Sequence, residues 1–210
     1  MLRLRSERPS PTQRMLCYSA ARRRIRHGDL LLFPYRGLPG RLIAAAGRSP
    51  YSHAALAAWW QGRLMVLEVR QFRGGRAVLF SNLVRRGPID VFAADAEGRG
   101  FDRRRAVGHM FGYTGRAYGW RALLRCALVH APLLRWCLRP KCDDADAPAN
   151  GATGDLPPFC SMAVAAAVRA GGVDPVPQLA DRWTEPGDLA RSRFFRYRFT
   201  VVADGTGEAI

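Results

Sequence analysis

The sequence predicts one mixed domain of strands and helices, α/β or α+β, and three observations carry that reading. The 210 residues suffice for a single domain with a sizeable core. Hydrophobic residues make up 48% and charged residues 24%, ordinary globular proportions that exclude wholesale disorder. Short apolar runs punctuated by Gly and Pro come first, and stretches with helical spacing come later.

Residues 1–26 are basic and contain Pro and Ser, and they read as a mobile N-terminal arm with a short helix ending in ARRRIRHGD. Gly28-Asp29 signals a turn, and Leu30 to Phe33 a short buried strand. A small helical segment is expected around Leu38–Ala46. The run YSHAALAAWWQGRLMVLEVRQF reads as two strands joined by a tight turn at Gln61-Gly62. Strands at Arg76–Phe80 and Ile89–Phe92 follow the turn signals Gly74-Gly75 and Gly87-Pro88. Helical character starts near Phe101, with Ala106, Val107 and Met110 on one face. A second helical stretch runs from Trp120 to Leu138, with a kink expected at Pro132.

Residues 139–158 lack apolar periodicity and concentrate Asp, Pro, Gly and Ala, as a surface loop does. Next comes an Ala-rich helix, CSMAVAAAVRAGG, opened by Cys160 and stopped at Gly171-Gly172. A helical turn at Pro186–Ala190, an alternating strand at Arg196–Val202 and a frayed tail at 204–210 complete the chain. The domain itself is placed at 27–203, and there are no internal repeats.

The net charge of +16 and the isoelectric point of about 11.1 come almost wholly from arginine, since Lys141 is the sole lysine. Such a skew arises from coding bias as well as from a polyanionic partner. It makes attraction to nucleic acid, anionic lipid or acidic wall polymers physically reasonable without choosing among them. Arg22, Arg23, Arg24 and Arg26 lack the aromatic interleaving or groove-reading helix of a specific nucleic-acid binder. In the 120–138 stretch, Arg121, Arg125, Arg135 and Arg139 form one stripe flanked by Leu123, Leu124, Ala127, Leu134 and Trp136. That pattern fits a helix lying on an anionic membrane surface, and equally a core helix that sends its Arg heads to water. No apolar run of signal-peptide length opens the chain, and no stretch of 18 uncharged apolar residues occurs. A cytoplasmic protein without a simple membrane span is therefore expected.

Five cysteines at irregular spacings (Cys17, Cys126, Cys137, Cys142, Cys160) do not make a disulfide framework. Cys137 and Cys142 with His130 match no common zinc spacing, so neither a metal nor a cofactor is expected. Cys160 differs from the other four in opening a helix, where unpaired N–H groups and the helix dipole favour a thiolate. The bland alternative is a small buried residue at a helix start.

His53 bears on that choice. Alternation groups it with Ala55, Ala57 and Trp59 on one strand face. A two-residue turn at Gln61-Gly62 pairs 60 with 63 and hence 55 with 68, placing Glu68 diagonally from His53 on the same face. A carboxylate within the apolar run LMVLEV needs a partner, and the imidazole is the obvious one. The expected site is thus Cys160 as nucleophile, His53 as base and Glu68 orienting the His. For His53 the competing account is a satisfied core histidine, and for Glu68 a carboxylate facing water.

The blocks HGDLLLF, SHAAL, LEV, FCSMAV and EPGDLARSRFF, in that order, resemble the circularly permuted branch of the NlpC-type papain-like hydrolases (YiiX/YaeF-like). The likeness spans roughly Gly28 to Phe195. It implies an α+β permuted papain-like fold, a small antiparallel sheet or partial barrel packed against helices. Cys160, His53 and Glu68 fall on the family's nucleophile, base and third polar residue. Asp29 lies in its opening Gly-Asp turn as a structural residue, and Tyr118, in GRAYGW, falls near its cleft. Met162 and Ala163 depart from the acidic residue that often follows Cys-Ser, and the 139–158 segment is longer than expected. Members are similar to amidases and peptidases of the bacterial cell wall and to lipid acyltransferases. The implied substrate is a peptide, a peptidoglycan fragment or a lipid. A non-catalytic module that holds a polyanion on the same fold is the alternative, and it has no need of all three residues.

Overall fold

The computed structural model describes residues 14–34, 49–96, 100–119 and 158–205. The expected helices at Leu38–Ala46 and Trp120–Leu138, His130, Cys126, Cys137, Cys142 and nearly all of the 139–158 loop lie outside them. The fold is α+β: seven strands form one sheet, with five α-helices among the described residues.

The strands are β1 (Met15–Cys17), β2 (Leu30–Pro34), β3 (Tyr51–Trp60), β4 (Arg63–Arg70), β5 (Gly74–Leu79), β6 (Ile89–Ala94) and β7 (Phe195–Val202). Their order in the sheet is β1-β7-β6-β2-β3-β4-β5. Every neighbouring pair is antiparallel except β1 with β7, which is parallel, Met15 opposite Thr200. The sheet is therefore larger than expected and not purely antiparallel. It also begins before residue 27: β1 lies inside the stretch read as a mobile arm, and Ala21 and Ile25 are buried in the core. Composition hid this, because the pairing that orders β1 is with a strand at the far end of the sequence. Asp204, assigned to the tail, accepts the Ser19 N–H at 2.9 Å.

Both sheet faces are covered. Leu30, Leu32, Ala54, Leu56, Leu67 and Val69 pack with α3 (Arg103–Phe111) and α4 (Cys160–Ala170). Leu31, Ala55, Ala57, Leu64 and Val66 pack on the other side with residues of α1 (Tyr18–Ala21) and α2 (Phe80–Val84). Strands buried on two faces read as continuous apolar runs, which is why LLLF and HAALAA do not alternate. Phe80, read as the end of a strand, instead opens α2, and β5 starts two residues earlier than expected.

Helix α4 is buried along nearly its whole length, from Cys160 to Val168. Its alanines let it lie close to the sheet and to α3. Gly171 ends it, at a spot where an added Cβ would stand 2.6 Å from the Phe101 ring. The Gly171 carbonyl accepts the Asp102 N–H at 2.8 Å, and the Asp102 carboxylate caps α3 through the N–H groups of Arg104 and Arg105. Helix α5 (Pro186–Arg191) follows a capping box made by Glu185 and Asp188.

The outer side of β5 is closed by the loop after α3. The Gly75 N–H donates to the Arg116 carbonyl and the Gly115 N–H to the Gly75 carbonyl, both at 2.8 Å. A side chain at Gly74 or Gly75 would overlap the Arg116 or Tyr113 carbonyl, so the approach needs glycine at both positions.

Candidate active site

Glu68 reaches its place by register. Trp60 pairs with Arg63 across a two-residue turn, and the pairing runs unbroken to Leu56 opposite Leu67. Both turn residues have positive φ, Gln61 at 46° and Gly62 at 72°, as two-residue hairpins require. Val66 and Leu64 share the Glu68 face of β4, and Ala55, Ala57 and Trp59 share the corresponding face of β3.

His53 sits where β3 is irregular. Phe33 pairs with His53 but the next residue, Pro34, pairs with Tyr51, so β3 carries one extra residue there. Such a bulge bends a strand and re-aims its side chains. Tyr51 consequently packs on the α4 side together with Ala54. The centre of the Phe33 ring lies 5.2 Å from that of the imidazole, the two planes tilted by 49°.

The His53 Nε2–H donates to Glu68 Oε2 at 2.6 Å. The Glu68 side chain is wholly buried, whereas 14% of that of His53 is exposed. The other carboxylate oxygen, Oε1, accepts from Arg76, whose Nε lies at 2.8 Å. Burial opposes the charge on Glu68, but these bonds with His53 and Arg76 prevail and hold its carboxyl at about 2. With Nε2 occupied, Nδ1 is the nitrogen left for the thiol.

Cys160 is the first residue of α4, after an extended Phe159 that offers no side-chain cap. The first-turn N–H groups therefore lack helical acceptors. Burial pushes the Cys160 thiol up, yet the hydrogen bond and charge of His53 and the N–H groups of Ala54 and Ser161 bring it below its ordinary value. For His53, burial disfavours the imidazolium, but the bonds with Cys160 and Glu68 outweigh it and raise the pKa to about 9. The result favours a thiolate–imidazolium pair over two neutral groups. Among the described residues Cys17 is the other free thiol, and it has no histidine beside it.

An open cleft of about 330 Å³ exposes this pair, with Phe33, Arg70, Leu83 and Arg86 also in its wall. Tyr118 lies in the same wall. Asp29 does not: its carboxylate ties the Arg26 N–H at 2.8 Å to the Arg103 guanidinium at 2.8 Å, a structural post between turn and helix. Sequence reasoning missed Arg76, although the signal was present. A three-residue turn after Arg70 would have set Arg70 opposite Gly74 and hence Glu68 opposite Arg76, as observed. Arg70 and Arg86 were also missed; nothing distinguishes them in so arginine-rich a chain.

Among the described residues no group of three or more His, Cys, Asp or Glu side chains is placed to hold a metal ion. No helix among them is long and apolar enough to cross a membrane. No protein-family model matches the chain, and no curated protein does. Among solved structures, the metalloprotein yiiX of Escherichia coli O157:H7 (DUF1105) is similar, with 14% identity and a TM-score of 0.48 over 86% of this chain and 89% of that one.

Proposed function

We propose that the chain is a cysteine hydrolase of the permuted papain-like kind, an amidase, peptidase or acyl-transferring enzyme that works through a thioester on Cys160. One observation carries the reading: a single imidazole joins a thiol at a helix N-terminus to a wholly buried carboxylate. A structural histidine needs no thiol partner, and a structural cysteine needs no charge beside it.

In this mechanism the Cys160 thiolate attacks the substrate carbonyl carbon. Developing oxyanion charge meets N–H groups of the first turn of α4, with the Cys160 N–H nearest to hand. The C–N or C–O bond breaks as the His53 Nδ1–H passes its proton to the leaving amine or alcohol. Water then attacks the thioester, giving up a proton to neutral His53 while the acid departs and Cys160 leaves as thiolate. An acceptor alcohol or amine in place of water makes the same site an acyltransferase. Glu68 keeps Nε2 protonated throughout and steadies the charged ring. A cell-wall peptide or a lipid-type amide or ester is the substrate class the resemblance implies.

The test is intact mass spectrometry after incubation with p-nitrophenyl acetate, peptidoglycan fragments and phospholipids. An acyl adduct on Cys160 that is lost in Cys160→Ala is the expected result. Nitrophenol release that persists undiminished in Cys160→Ala, with no adduct from any of the three, would overturn the reading.

A further inference from the structure

We propose that the cleft beside Cys160 selects an acyl substrate bearing an anionic group, a carboxylate or a phosphate, which Arg70 and Arg86 hold. This deepens the hydrolase reading of Cys160 and rests on it.

The case begins with the charges around Glu68. Its two oxygens are both engaged, Oε1 by Arg76 and Oε2 by His53 at 2.6 Å. Arg70 stands 3.9 Å from Oε2, too far for a hydrogen bond, and 40% of its side chain is exposed. Equal parity on β4 puts Arg70 on the Glu68 face, and its side chain forms part of the cleft wall. The carboxylate is thus neutralised by two other cations, and the guanidinium donors of Arg70 remain for something else.

Arg86 comes from a second element, the turn between α2 and β6, and it too lines the cleft. It is exposed, and among the described residues no carboxylate or carbonyl accepts from its guanidinium. The planar guanidinium fork of each matches a carboxylate or phosphate in two-point contact. Phe33 and Leu83 supply apolar wall beside them, which weakens solvent screening and concentrates the field.

An arginine-rich chain will scatter cations over any surface, and that is the competing account. It does not by itself bring two guanidiniums from separate elements, β4 and the turn before β6, into the wall of the cleft that holds Cys160, with neither hydrogen-bonded to a carboxylate among the described residues.

The experiment compares iodoacetate with iodoacetamide, two alkylating agents of similar size that differ in charge. The rate of each is read by peptide mapping at Cys160 and at Cys17, and the quantity is the iodoacetate-to-iodoacetamide ratio, in which any general change of thiol reactivity cancels. We expect the ratio at Cys160 to exceed that at Cys17 by about tenfold at low salt, and to shrink as salt is added. Arg86→Gln lowers it several-fold, as does Arg70→Gln, while Arg85→Gln, a neighbour outside the cleft wall, leaves it unchanged. Protection of Cys160 from iodoacetamide by inorganic phosphate or by acetate identifies which anion the cleft prefers. Equal ratios at the two thiols, or a ratio indifferent to both cleft variants, overturns the inference and leaves the hydrolase reading standing. A Cys160 that resists iodoacetamide itself removes the hydrolase reading instead.

Discussion

Glu68 and Arg76 face each other directly across β4 and β5, and the guanidinium closes on the carboxylate oxygen that His53 leaves open. The carboxylate is thereby pinned from two sides, so its grip on the imidazole is oriented as well as charged. Glu68→Gln keeps the size but removes the charge and permits the wrong ring tautomer. Turnover should fall by orders of magnitude, toward the loss of about 10⁴ in kcat seen when the orienting acid of a Ser-His-Asp triad is made neutral. Cys160→Ala should cost more still. The same substitution strands the half-buried Arg76, so the melting temperature should drop too, by the equivalent of about 1–3 kcal/mol. Arg76→Gln in a Glu68→Gln background should then cost little further stability. Full turnover in the Glu68→Gln protein would remove the orienting role.

Hydrolysis and alkylation should part company at high pH. Proton delivery to the leaving group needs the imidazolium, which the site holds up to about pH 9. Alkylation needs only the thiolate, whose pKa is lowered by the same neighbour. Turnover should therefore decline as pH rises through about 9, while iodoacetamide continues to label Cys160 above it. Turnover that holds level through about pH 9 alongside the labelling would mean that His53 assists thiol ionisation and delivers no proton to the leaving group.

Stability should carry the signature of the buried pair. The carboxyl of Glu68 is depressed from 4.5 to about 2, so its contribution is present above pH 4.5 and is lost as pH falls toward 2. His53 is raised from 6.5 to about 9, so its contribution is full below pH 6.5 and is lost as pH rises through about 9. The melting-temperature gap between the native protein and Glu68→Gln should be widest between these limits and narrow below pH 4.5. A gap that does not vary with pH would contradict the assignment.

Gly171→Ala should destabilise by about 1–3 kcal/mol, because the new methyl meets the Phe101 ring and the Asp102 carbonyl where α3 and α4 touch. Gly108→Ala, within α3 with nothing within 4 Å of the added carbon, should stabilise by about 0.5–1 kcal/mol. Chemical denaturation of the pair checks both signs.

How much of this was legible in the sequence depends on the range of the signal. The hairpin register is local, and the two-residue turn fixed it, so Glu68 opposite position 55 could be counted along the chain. The face shared by Ala106, Val107 and Met110 was equally local, a matter of helical period. The start of α2 at Phe80 was not, since an apolar run of that length suits strand or helix alike. Strand β1 was hidden altogether: three residues, Met15–Cys17, carry no period, and their partner lies at the other end of the chain. The bulge beside His53 was also unreadable, because it is defined by Pro34 pairing with Tyr51 across residues 35–50, a connection too long for a turn to set the register.

The closure of β5 by the loop after α3 has a consequence for solubility. A strand at the rim of a sheet is a template on which a second chain can grow, and flat, long rims seed aggregates. Here the Gly75 N–H and C=O are already taken by Arg116 and Gly115, so that rim is interrupted near its start. The opposite rim is β1, three residues long, preceded by Arg14 and followed at once by helix α1. Neither offers an uninterrupted ladder. Edge-to-edge growth thus finds a short rim at one end of the sheet and an interrupted one at the other, and two adjacent glycines are what let the loop close that second rim.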